Sequence, residues 1–357
     1  MKVLITGGAG FIGAALAQEL MNLYEAEVVS VDNLLPQVHE DGILLKRYPE
    51  RARLVRGDVR NGELLDLVLA ELQPDYVVHF AAETGTAQSM THSSRHASVN
   101  GVGTTELLDA LRRAQCQPKR ILLSSSRAVY GEGAWQAQDG SIFYPGIRSR
   151  SQLAAGRWDF RSPVSDLPAC AMLHDAATVF PNPTSIYGAT KLVQEHLLKA
   201  WCAANEVPHH ILRFQNVYGI GQSPSNPYTG IINIFHHIAR RKEAIPVYED
   251  GEIGRDFVWI SDVVDACVAA LVDTSARSST YDVGSGEATT IAQAAAVVAA
   301  LHGASEPRIT GQFREGDVRW AVANVDALRV ELGVTPKISF EEGAAKVGEW
   351  LFSGEKA

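Results

Sequence analysis

Apolar positions in the first third of the chain switch between two periods. Short aliphatic and β-branched runs at 2–6, Glu27–Val31, Arg53–Arg56, Tyr76–Phe80 and Arg120–Ser124 predict strands. The stretches 11–22, 61–72 and about 94–114 carry apolar residues three and four apart and predict helices. Strand and helix in alternation mark a parallel sheet covered by helices, the α/β class. The rhythm breaks over 132–183, where Gly, Pro, Trp, Arg and Ser follow no period. Irregular chain of this length inside a compact domain predicts a functional insertion, read here as a possible lid. Helix 185–205 and strand His209–Arg213 restore the rhythm. After about 217 the pattern is mixed, with helices expected at Gly230–Arg241, 261–272, 290–302 and 340–352. Short strands are expected at Ile245–Glu249, Arg255–Val258 and Tyr281–Val283. The expected organisation is a doubly wound parallel sheet over 1–216 and a smaller mixed α/β lobe over 217–357, some of whose segments return to the first domain. Such a lobe caps the C-terminal edge of the sheet, where open α/β folds bind ligands.

Composition narrows the class. Of 357 residues, 46% are hydrophobic and 20% charged, with a net charge of −9. That is a globular profile, and its acidic balance argues against a general nucleic-acid or membrane-surface binder. Cys116, Cys170, Cys202 and Cys267 are scattered, with no Cys-x-x-Cys pair. They read as free thiols in a reducing compartment, and no metal site is expected. The sequence starts on a strand pattern without a signal peptide and has no apolar run of membrane length, so the expected location is cytoplasmic.

The first strand runs into Thr6-Gly7-Gly8-Ala9-Gly10-Phe11-Ile12-Gly13, which opens the first helix. Glycines at 7, 10 and 13 permit a tight turn and let a pyrophosphate approach the backbone, while the helix start offers N–H groups to its charge. Strand, turn and helix in that order are the context a Rossmann dinucleotide site requires. Phe11 and Ile12 fall inside the same turn. Asp32 ends the second strand about 20 residues past the turn, where a carboxylate accepts from ribose hydroxyls. It repels a 2′-phosphate, and Asn33-Leu34 supplies no cation, so NAD is expected rather than NADP. Asp58 and Val59 after the third strand, and Ala81 and Ala82 after the fourth, fit the same cofactor site.

Tyr187-Gly188-Ala189-Thr190-Lys191 is a Tyr-x-x-x-Lys on a predicted helix, which puts phenol and ammonium on one face. A free phenol is too weakly acidic to serve as a base at neutral pH, and a neighbouring cation favours its ionised form. Tyr187 then takes a proton from a substrate hydroxyl while hydride leaves the same carbon. The fifth strand ends in Ser124-Ser125-Ser126, whose hydroxyls are suited to hydrogen-bond the reacting oxygen.

Together these pieces resemble the extended short-chain dehydrogenase/reductase superfamily, in its NAD-dependent nucleotide-sugar epimerase/dehydratase branch. The likeness also takes in Val129-Tyr130-Gly131, Leu212–Gly219, Arg255–Val258 and Gly316–Arg319. It implies that Ser126, Tyr187 and Lys191 are catalytic, with Ser125 a helper at the substrate. It further implies that Ser124, Tyr187 and Lys191 also contact the cofactor. Arg255 and Arg319 match arginines that meet the substrate's phosphates, and Asn216 matches an asparagine on the nucleotide sugar. Homodimers form in the family through a helix pair, here 94–114 and 185–205. Sugar 4,6-dehydratases carry Asp-Glu just before Val-Tyr-Gly. Arg127-Ala128 stands there instead, which argues against dehydration and leaves 4-epimerisation of a dTDP- or UDP-linked sugar.

A narrower resemblance, to the bacterial dTDP-L-rhamnose 4-epimerases that make dTDP-6-deoxy-L-talose, lies in Ala82–Met90 and Tyr144–Leu153. It implies that Glu83, Thr84 and Gln88 line the sugar pocket and that the insertion folds over it. Arg148, Arg150, Arg157 and Arg161 are read as solvated, with contact to phosphate as the alternative. A decarboxylase or net 4-keto reductase of the same family stays open. So does an NAD-sensing regulator without chemistry, against which the Tyr187–Lys191 pair speaks.

Overall fold

The computed structural model describes residues 1–39, 48–223 and 230–353. Strand β1 (Lys2–Thr6) feeds helix α1 (Phe11–Tyr24) and β2 (Glu27–Asp32); β3 (Arg53–Arg56), α2 (Gly62–Leu72) and β4 (Tyr76–His79) follow. A helical stretch from Ser93 leads into α3 (Gly103–Arg113) and β5 (Arg120–Ser126). Then come α4 (Ile186–Asn205), β6 (His209–Phe214), α5 (Ile231–Arg240), α6 (Ile260–Val272), β7 (Ser279–Val283), α7 (Ile291–His302) and α8 (Phe340–Phe352). The seven strands form one parallel sheet in the order β7-β6-β5-β4-β1-β2-β3. Chain order reverses between β1 and β4, which opens a crevice at the C-terminal strand ends.

Alternation along the strands builds two cores. Val3 and Ile5 of β1 face the cluster that includes α1 and α6, while Leu4 faces the one that includes α2, α3 and α4. β7 lies beyond residue 217 yet pairs with β6 from Ser279↔His210 to Val283↔Phe214, so the second half completes the first half's sheet. α7 packs on both α5 and α8.

The aperiodic stretch 132–183 has order of its own. Trp135–Ala137 pairs antiparallel with Ile142–Phe143 on one side and Ala169–Ala171 on the other. Trp135 meets Phe160 edge-on at 4.9 Å, and Trp320 from the second half packs on the same cluster. His174 continues the docking through backbone bonds with Val322 and Asn324. The insertion thus fastens to the second half of the chain.

Candidate active site

A cavity of about 500 Å³ opens at the C-terminal strand ends. Its cofactor end brings together Gly7, Gly10, Phe11, Ile12, Gly13, Asp32, Asn33, Asp58, Val59, Ala81 and Ala82. The other end holds Glu83, Thr84, Ser124, Ser125, Ser126, Tyr187, Lys191 and Asn216, joined by Gln222, Ile231 and Phe257 from the second half.

The cofactor end fits a dinucleotide. No side chain caps α1 at Gly10, so the helix start is left for an anion. A Cβ at Gly13 would lie 2.5 Å from the Gly7 carbonyl oxygen, so only glycine lets the helix sit so close to the turn. The Asp32 carboxylate accepts from the backbone N–H of Ala9 at 3.1 Å and of Leu34 at 2.9 Å, which fixes it at the end of β2. Asp58 is gripped by Arg60 through Nε and Nη2, both at 2.8 Å. That hydrogen bond holds its carboxyl down at about 2.

Local sequence explains the reactive end. Ser185 caps α4 by accepting from Gly188 N at 3.1 Å, so Tyr187 falls in the first turn and Lys191 one turn on. A Cβ at Gly188 would sit 2.3 Å from the Ala128 carbonyl oxygen. Glycine therefore lets α4 start directly on the turn Arg127–Tyr130, and this brings Tyr187 to Ser126. Burial pushes the Tyr187 phenol up, while a hydrogen bond with Ser126 and the Arg127 cation pull it back. Lys191 is fully enclosed, and burial brings its ammonium down to about 7 against the pull of Glu195. Its Nζ donates to Gln194 Oε1 at 2.6 Å.

Several expectations need correction. Ser125 borders the cavity, but its hydroxyl is turned from those of Ser124 and Ser126, as strand alternation requires, and donates to Glu195 Oε1 at 2.5 Å. Gln88 is absent from the cavity wall and exchanges amide hydrogen bonds with Gln37 at 2.8 and 3.1 Å. Arg255 and Arg319 are buried, and neither lines the cavity. Arg319 is committed to Asp159, Asp250 and Glu249 at 2.7–3.2 Å. Arg255 bonds the Gly254 carbonyl. Arg148, read as solvated, is buried and forked onto Glu249 at 2.8 and 2.9 Å, a partner 101 residues away that no local pattern announces. Arg150, Arg157 and Arg161 are exposed, as expected. Among the described residues none of 132–183 lines the cavity.

Other residues of the site escaped the sequence reading. Asn100 sits in a π-helical turn, Ala97–Val102, that interrupts the expected single helix. Its amide accepts from Glu83 N at 2.8 Å and donates to Thr190 Oγ1 at 2.9 Å, which ties the loop after β4 to α4. Gln194 holds Lys191 and also donates to Thr104 Oγ1 at 2.8 Å. Burial keeps the His79 imidazole neutral, down at about 3, between Thr6 Oγ1 at 2.7 Å and Thr104 Oγ1 at 2.9 Å. Gln194 lies three residues past Lys191 on the helix, a spacing that signals contact. Asn100 has no such signal.

The pattern of the NAD dependent epimerase/dehydratase family matches residues 3–151 and 168–284, skipping part of the insertion. A dTDP-L-rhamnose 4-epimerase of Burkholderia thailandensis is 49% identical over 351 residues, 98% of this chain and 94% of that one. The fold superposes on UDP-glucose 4-epimerase from Thermotoga maritima, solved with UDP-glucose, with a TM-score of 0.78, 26% identity and full coverage of both chains. UDP-glucose 4-epimerase from Thermus thermophilus, solved with NAD, gives 0.76 at 26% identity, again over the whole of both chains.

Proposed function

We propose that this chain, which belongs to the NAD dependent epimerase/dehydratase family, inverts C4 of a nucleotide-linked 6-deoxyhexose, converting dTDP-L-rhamnose to dTDP-6-deoxy-L-talose. The observation that carries the substrate is the 49% identity, across 98% of the chain, to an enzyme of that specificity. The reaction class draws support from the cavity, where Ser126 and Tyr187 meet beside the cofactor end and Arg127-Ala128 offers no acid for dehydration.

NAD is held by the Gly7–Gly13 turn, Asp32, Asn33, Asp58, Val59, Ala81, Ala82, Ser124 and Lys191. Its chemistry when bound is hydride exchange with C4, out and back, so no oxidant is consumed overall. Tyr187 takes the proton of the C4 hydroxyl as that carbon is oxidised. Ser126 hydrogen-bonds the same oxygen and steadies its changing charge. Lys191, fixed by Gln194 one helical turn from Tyr187, supplies the cation of the set. The 4-keto sugar turns over in the cavity, and Tyr187 gives the proton back once the opposite face has been reduced. Glu83, Thr84 and Asn216 border the sugar. Residues 1–216 chiefly serve the cofactor, and 217–357 serve the substrate through Phe257 and Ile231.

We take the enzyme to be a cytoplasmic homodimer. Val102 and Val193 are exposed on the helices that would pair, and no helix among the described residues is long and apolar enough to cross a membrane. The test is proton NMR of reaction mixtures with a panel of dTDP-, UDP- and GDP-sugars. Inversion at C4 without NADH accumulation is expected, with dTDP-L-rhamnose turned over fastest. No inversion with any sugar overturns the reading. Stoichiometric NADH use points instead to a reductase.

A further inference from the structure

Arg127 carries a charge that the mechanism so far leaves without a task. It follows Ser126 directly and opens the turn that packs on the start of α4. The residue is half-buried and lines the cavity, and its Nε donates to Asn216 Oδ1 at 2.9 Å. Among the described residues no carboxylate is within ion-pair distance of it. The charged groups acting on it are Arg255, which repels it, and Asp317, Tyr187 and Glu132, which favour its charge. Burial, then Arg255, brings the guanidinium down to about 9, still cationic at neutral pH. A cation kept in a cavity wall without an anion carries a desolvation penalty, which is relieved when negative charge develops beside it. The other cation of the site, Lys191, is directed to Gln194.

We propose that Arg127 is a positioning residue for the base, its guanidinium anchored by Asn216 so as to hold negative charge on the Tyr187 phenol oxygen and on the C4 oxygen it serves. The same side chain cannot act as the proton donor that elimination of water needs, so one residue both supports the base and closes the dehydratase route. The proposal rests on Tyr187 being the base. Geometry carries it. Arg127 and Tyr187 line the same cavity, and the turn that Arg127 opens is pressed on the first turn of the helix that bears Tyr187, where Gly188 leaves room for the Ala128 carbonyl. The other groups facing the pair are the His96 ring, 6.5 Å from that of Tyr187, His174, which burial brings down to about 3, and Lys191. Glu132 is raised by burial to about 7 and so titrates within a neutral pH profile.

The experiment is the pH profile of kcat/KM for wild type, Arg127→Gln and Arg127→Lys, each repeated in a Glu132→Gln background to remove that titration. Phenolate absorbance of the NAD-loaded enzymes is read against Tyr187→Phe. In Arg127→Gln the basic group's midpoint is expected to move up by about one pH unit, the effect of one charge at close range. The phenolate band moves with it, NAD affinity is unchanged, and Arg127→Lys restores the midpoint. An unmoved midpoint with a uniform loss at every pH overturns the proposal. Should Arg127→Gln fail to give a cooperative melt, Arg127→Lys decides: retained charge must leave the midpoint in place, and a displaced one overturns the proposal. Wild-type turnover in Tyr187→Phe is a separate failure, that of the base assignment.

Discussion

Replacing Glu195 by alanine tests what holds the reactive end in place. Glu195 is fully buried on α4 and accepts from Arg213 Nε at 2.9 Å and Nη2 at 2.7 Å, and from Ser125 at 2.5 Å. Arg213 stands on β6 with its guanidinium 4.7 Å from the centre of the Tyr130 ring, and Tyr130 in turn donates to Asp282 at 2.8 Å. The pair therefore joins α4, which bears Tyr187, to β5 and β6. Removing one partner leaves an uncompensated buried cation, which costs about 3–5 kcal/mol. That is a large part of the about 5–15 kcal/mol that keeps a domain folded. Glu195→Leu combined with Arg213→Met removes both charges and is expected to cost less than either single change. Urea unfolding of Glu195→Ala, Glu195→Leu, Arg213→Met and the double variant, followed by circular dichroism, measures the four values. Burial pushes the Glu195 carboxyl up, but the Arg213 hydrogen bond and charge prevail and hold it below the usual range. Its folded pKa is thus depressed. The stabilisation is present above the unfolded carboxylate value of about 4.3 and is lost as pH falls below it. A cost under about 1 kcal/mol for any single variant, with the denaturant slope unchanged, refutes the reasoning.

Gly13→Ala forces a methyl group against the Gly7 carbonyl and is expected to cost about 1–3 kcal/mol; calorimetry should show weakened NAD binding, and wild-type affinity would contradict the close approach. Asp32→Ala should also weaken NAD without unfolding the chain, and unchanged affinity removes Asp32 from the site. Lys191→Met removes a buried ammonium that burial has brought down to about 7. The unfolded chain binds the extra proton between that value and about 10.4, so wild-type stability rises with pH across this window. The variant should melt higher than wild type at pH 6, with a lead that shrinks toward pH 10; a constant difference contradicts the buried-charge argument.

What the sequence revealed and what it hid follow from the range of the interactions. The glycine turn, Asp32 and the Tyr187–Lys191 pair are local patterns, each spelled out within a strand, a turn or one face of a helix. NAD and the proton-and-hydride chemistry were legible from them, and the epimerase class followed from the family resemblance. Strand alternation, a period of two, also placed Ser124 and Ser126 on one face and Ser125 on the other, but three equal hydroxyls in a row concealed it. The sheet hidden in 132–183 has strands of two and three residues, too short to show a period. Arg148 and Arg319 owe their burial to Glu249 and to Asp159 and Asp250, partners brought close only by the fold. Likewise Arg127 read as the absence of an acid, and only its neighbours give it meaning as a cation. The return of Ser279–Val283 to the first half's sheet depends on pairing across some seventy residues.

The central claim is that C4 loses a hydride and regains the same one on its other face while Tyr187 moves the proton. The most direct measurement uses dTDP-L-rhamnose deuterated at C4, incubated with the enzyme in ordinary water and followed by NMR and mass spectrometry. The account expects the product of inverted configuration to keep its deuterium, and Tyr187→Phe to yield none of that product with NAD still bound. Deuterium lost to solvent during inversion, or full turnover by Tyr187→Phe, would contradict it.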